Sequence, residues 1–158
     1  MTAGDVVKEQ LLVAESFTVK SSEDIEKGEI VINDGNGILA ASNTVTGPFM
    51  VAVEDHDYSE ETDHSVVCIM VGCVEVQKKT GTAIKKGQAL MVSSDAGEAT
   101  LFTKGDAPAG GSSTYYTTTI ESDFQTALDR NVAKVGIAQA DAASDATTVK
   151  VWVGVSLG

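Results

Sequence analysis

An all-β fold is predicted by the way turns and apolar runs alternate along this 158-residue chain. Clusters of Gly, Asp and Asn recur about every eight to twelve residues, the interval of antiparallel sandwiches and barrels. Between them lie short runs of Val, Ile, Thr and Phe, side chains that fit a pleated, half-buried surface. One run alternates strictly: Val149, Val151, Val153 and Val155 share one face, and Lys150 and Trp152 the other. The expected architecture is a compact antiparallel β-barrel or β-sandwich with one short helix and a flexible N-terminal arm.

The elements follow in order. Residues 5–14 (DVVKEQLLVA) carry an apolar stripe that suits either a short amphipathic helix or an extended arm. Residues 1–16 are therefore set apart as an arm and 17–158 as a single barrel domain. Strand-like runs follow as FTV, EIVI, GILAA, FMVAVE and SVVCIMVGCVEV, then ALMVS, ATLF, STYYTTTI, VAKVGIAQA and TTVKVWVGVSL. Residues 105–113 (GDAPAGGSS) open a surface excursion over about 104–131. Within it Ser122 is placed as an N-cap, and Phe124 and Leu128 lie one turn apart, which predicts a two-turn helix over 122–130. An internal echo is also visible. The run 25–31 (IEKGEIV) resembles 84–90 (IKKGQAL), and 51–55 (VAVED) resembles 137–141 (IAQAD), as two similar β halves would.

Charge and composition exclude whole classes of function. Acidic residues number 23 against 11 Lys and Arg, a net charge of −12, and Arg130 is the single arginine. Nucleic-acid binders neutralise phosphates with clustered cations, and here Lys78-Lys79 and Lys85-Lys86 are short and set among acids, so no nucleic-acid partner is expected. With 42% hydrophobic residues the chain is not a disordered one. No apolar run reaches the roughly 20 residues of a membrane helix. The first residues lack the basic and apolar regions of a secretory signal, so synthesis without export, and no membrane partner, is the expectation.

Chemistry is sparse. The segment 54–64 (EDHDYSEETDH) holds both histidines, and His56 and His64 with Asp57 or Asp63 present the ligand types of zinc or manganese. Their spacing fits no closed site, and an acidic loop with solvated histidines is the plainer reading. Cys68 and Cys73 are too few for a disulfide framework and read as small buried hydrophobes. They fall on opposite strand faces unless Gly72 marks a bulge. Serines sit in turns, with no nucleophile elbow. The NDGNG stretch (33–37) has a calcium-loop flavour, but Thr44 stands where such a loop needs its closing Glu, so a hairpin turn is expected. No catalytic residue, metal or cofactor is assigned, and the chain is not expected to be an enzyme.

The ordered phrases carry more. They run from Ile25-Glu-Lys-Gly-Glu-Ile-Val and Gly47-Pro-Phe-Met-Val-Ala-Val-Glu-Asp to Val71-Gly-Cys-Val-Glu-Val and Ile84-Lys-Lys-Gly-Gln-Ala-Leu-Met-Val. Val135-Gly-Ile-Ala-Gln-Ala-Asp and Val149-Lys-Val-Trp-Val close the series. This series resembles the small β-barrel capsid decoration, or cement, proteins of tailed phages over about residues 17–157, interrupted by the excursion. The resemblance implies a virion protein on the outside of an icosahedral head. Its partners would be the major capsid protein and itself, as a trimer, and it would be made in the host cytoplasm and clamp neighbouring shell subunits. Contact with the capsid or a neighbouring copy is expected from Val6, Val7, Leu11, Leu12 and Val13 of the arm and from Trp152. The alternatives are another virion β module, such as a tail or fibre piece, and a metal-dependent hydrolase using His56 and His64.

Overall fold

Strands break where the turn signals stand. The computed structural model describes residues 3, 5–44, 47–103 and 133–154, with residues 6–11 given by their backbone alone. The described residues form nine strands: β1 Val6–Thr18, β2 Ile30–Asn33, β3 Ile38–Ala40, β4 Met50–Ala52 and β5 Ser65–Gln77, then β6 Ala89–Val92, β7 Ala99–Leu101, β8 Lys134–Ala138 and β9 Thr148–Val153. There is no helix among the described residues. The helix expected at 122–130 and the excursion around it lie outside them.

All nine strands form one curled antiparallel sheet in the order β3-β2-β4-β5-β9-β8-β6-β7, with β1 on the opposite edge of β5. Residues 33–37 make the β2–β3 hairpin turn that their Asn, Asp and Gly foretold. Gly35 and Gly37 supply positive φ angles, and Asn33 Oδ1 accepts the Gly35 N–H at 2.8 Å. Of the two conformations open to residues 5–14, the chain adopts the extended one, paired to β5 from Val6↔Val74 to Thr18↔Ser65.

The echo in the sequence is a duplication in space. Ile25 and His56 exchange backbone hydrogen bonds, and so do Ile84 and Ala142. Gly28 N–H donates to Ala52 O and Gly87 N–H to Ala138 O, each at 2.8 Å. Each Lys-Gly turn is tied by an aspartate: Asp55 Oδ1 accepts the Lys27 N–H, and Asp141 Oδ1 the Lys86 N–H. The strand pairs match as well, β1 on β5 repeating as β5 on β9, and β4 on β5 as β8 on β9. β5 is thus shared: its first half closes one unit and its second half opens the next.

Two cores result. The larger joins both units through Ile30, Val51, Ile69, Val74, Ile84, Leu90, Val92 and Val151. The smaller lies in the first unit, around Val19, Ile25, Val31, Ile38, Val66 and Cys68. Each aliphatic side chain so buried is worth about 1.5–3 kcal/mol. In β9 the alternation holds as read: Val149, Val151 and Val153 are buried, while Lys150 and Trp152 on the other face are half-buried. In β5 it changes phase. Odd Ile69 faces the large core before Gly72, but even Val74 and Val76 face it afterwards, a one-residue slip of the kind a bulge makes.

Candidate contact surface

The middle of β5 brings the expected contact residues together. Val13 pairs with Val71 on one edge of β5, and Trp152 pairs with Cys73 on the other. Cys73 also faces Lys8, so β1, β5 and β9 form one row there, with β1 and β9 about 10 Å apart. Leu12 and Val13 are the exposed large hydrophobics among the described residues, each 42% accessible. Their neighbours Ala14, Glu15 and Ser16 are exposed too. The β1–β5 register slips between Lys8 and Val13 and again between Val13 and Ala14, which disrupts the pleat where Leu12 and Val13 stand. Val6, Val7 and Leu11 lie on β1, and Val6 is opposite Val74. Trp152 lies half-buried on the face away from the large core.

That face holds further polar groups. Glu75 stands opposite Lys150 and is 7% exposed, with Oε2 lacking a hydrogen-bond partner. Burial raises its carboxyl above the ordinary range, against the pull of Lys150. Cys68 and Cys73 are both buried thiols, as read, and burial, aided by the charge of Glu54, pushes the Cys68 thiol up to about 12.

His56 is not solvated, which corrects the sequence reading, while His64 is half-buried. The His56 side chain is fully buried, because the Ile25–His56 backbone pair draws it under the connection between β4 and β5. Its Nδ1 lies 2.9 Å from Glu61 Oε2 and its Nε2 3.3 Å from His64 Nδ1. Tyr58 stacks on His64 with centroids 3.9 Å apart. The two histidines do meet, but through a hydrogen bond, and among the described residues no group of three or more His, Cys, Asp or Glu is placed to hold a metal ion. Sequence reasoning missed Glu61 and Tyr58 as their partners. In the second unit Ala142 holds the place of His56, and Lys78, at the place of Val19 and 1% exposed, donates from Nζ to the carbonyls of Lys79, Ser144 and Ala146.

Comparison with known proteins fits this frame. No curated protein matches the chain. A solved structure described as the head fiber gp8.5 N base in bacteriophage phi29 is similar at a TM-score of 0.51 and 18% identity, covering 89% of this chain and 94% of that one. At that identity the likeness speaks for the fold alone. The family model described as phage cement protein matches residues 9–153, nearly the whole described sheet from β1 to β9. With that match, this chain belongs to the phage cement protein family, structural proteins of the phage virion.

Proposed function

We propose that this protein decorates the outer surface of an icosahedral phage head and stabilises contacts between major capsid subunits. The observation that carries the reading is the family match together with the strand that a clamp requires. β1 is thirteen residues long, pairs among the described residues with β5 alone, and shows Leu12 and Val13 to solvent. An open strand edge and an exposed apolar pair are what a partner surface can cover. The rest of the composition suits the role: a net charge of −12 favours solubility at high copy number and repels packaged nucleic acid. In this reading the major capsid protein is the partner, copies gather as trimers, and the chain is made in the host cytoplasm before joining the virion.

A second reading has a specific observation behind it. The phi29 structure similar in fold is the base of a head fibre, so this chain could serve as the mount of a longer appendage rather than as a clamp. Co-sedimentation with DNA-filled heads that lack this protein separates these from a generic β module. Saturable binding in fixed ratio to the shell subunit, together with heads that resist heat better, supports the clamp. Binding without added head stability supports the mount. No binding overturns both.

A further inference from the structure

The connection between β4 and β5 and the one between β8 and β9 hold the same place in the two units. Both close on the preceding segment through the same backbone bonds. His56 N–H donates to Ile25 O at 2.8 Å as Ala142 N–H donates to Ile84 O at 2.9 Å. Val19 N–H donates to His64 O as Lys78 N–H donates to Thr147 O, each at 2.8 Å. Only the first connection carries imidazoles, and they stand at both of its anchor points.

Proton counting at that pair is constrained. An ionised Glu61 can only accept, so His56 Nδ1 carries the proton between them. Neutral His56 then offers Nε2 as an acceptor, and His64 Nδ1 must donate to it. One added proton is accommodated, either on the far nitrogen of His64 or on His56 Nε2 with a change of tautomer at His64. A second puts a proton on both facing nitrogens 3.3 Å apart, which removes the hydrogen bond and sets two cations against each other. Water cannot relieve His56, whose side chain has no exposure.

We propose that the His56–His64 pair is an acid-operated latch: it holds the 53–64 connection shut on Val19 and Ile25 with one proton or none, and a second proton releases it, while the matching connection of the other unit stays closed. The facing charges are accounted for. From the connection itself come Glu61, Asp57, Glu60 and Asp63, and Asp57 is kept below the ordinary carboxylate range by its bonds from Ser59. From the segment before β2 comes Asp24, which accepts the Tyr58 N–H at 2.9 Å. From β5 come Ser65, bonded to Asp63, and the buried Cys68 thiol. These groups leave the contact between the two facing nitrogens unchanged. The latch does not depend on what the protein binds.

The test is amide hydrogen exchange, read by NMR as protection factors on the intact chain from about pH 7.5 down to about pH 4, because a second charge beside the first is taken up only at lower pH than the first. The expected result is a loss of about tenfold or more in protection at the Ile25 and His56 amides, with Ile84 and Ala142 changing by less than about twofold. His64→Asn keeps a donor toward His56 but takes up no proton, and is expected to abolish the loss. Equal loss in both units, no loss in the first, or an undiminished loss in His64→Asn overturns the proposal. Should that variant not fold, an imidazole titration of the unaltered chain decides instead. Two charged rings with the Ile25–His56 amides still protected overturns the latch, and loss of that protection as the second ring charges supports it.

Discussion

Glu29 and Gln88 occupy one place in the two units and do one job there. Glu29 Oε2 accepts the Glu26 N–H at 3.0 Å, and Gln88 Oε1 accepts the Lys85 N–H at 2.6 Å. The carboxylate is the poorer choice, because Glu29 also packs on Gly97 of the neighbouring unit's turn. Its side-chain atoms lie only 2.6–2.8 Å from where a Cβ on Gly97 would sit. Burial, then the charges of Glu26, Glu98 and Glu23, push its carboxyl up to about 7 against the Glu26 hydrogen bond.

The folded state holds this proton more tightly than the unfolded chain, so stability from Glu29 is greatest in acid. It falls as pH rises from the ordinary carboxylate range to about 7 and is flat above. Glu29→Gln is expected to stabilise the protein at pH 8 by about 2 kcal/mol and to leave it nearly unchanged near pH 4. Urea unfolding of both proteins at the two pH values checks this.

Lys78 stands where Val19 stands in the first unit, with its amine closing three carbonyls. Lys78→Met keeps most of the volume but strands those acceptors. A loss of about 2–4 kcal/mol in denaturant unfolding is expected. Little change would mean that water replaces the amine.

Leu12 and Val13 are exposed in the free protein, so Leu12→Asp with Val13→Asp should change its unfolding free energy by no more than about 1 kcal/mol. On the clamp reading, head binding should weaken by about tenfold or more, measured by co-sedimentation. Unchanged binding would move the contact elsewhere.

Cys68 and Cys73 should resist thiol reagents at neutral pH while the fold is intact, since both are buried and the Cys68 thiol is pushed up to about 12. Labelling should keep pace with global unfolding as urea is raised. Fast labelling of the native protein would reveal local opening at the middle of β5.

Much of this fold was legible because its signals are local. Gly35, Gly37 and the aspartates after β4 and β8 mark turns by backbone chemistry that needs no tertiary context, and β9 shows its buried face by strict alternation. Burial of polar residues was not legible. His56 and Lys78 sit in strongly polar strings, and what buries them, Ile25 for one and the carbonyls near residue 146 for the other, is remote in sequence. The phase change in β5 was open for a related reason. A glycine at residue 72 permits a slip, but only the partners on its two edges show that one occurs. The apolar residues expected at a contact lie on β1 and β9, and the pairing of both strands with β5 is invisible in any one segment.

The sharing of β5 has a mechanical consequence. The two units share an unbroken backbone strand as well as the larger core, with no linker between them. A pull on the first unit therefore travels into the second along covalent bonds. Neither unit can be peeled away without stripping the sheet from the other, so under load the molecule should fail in one event.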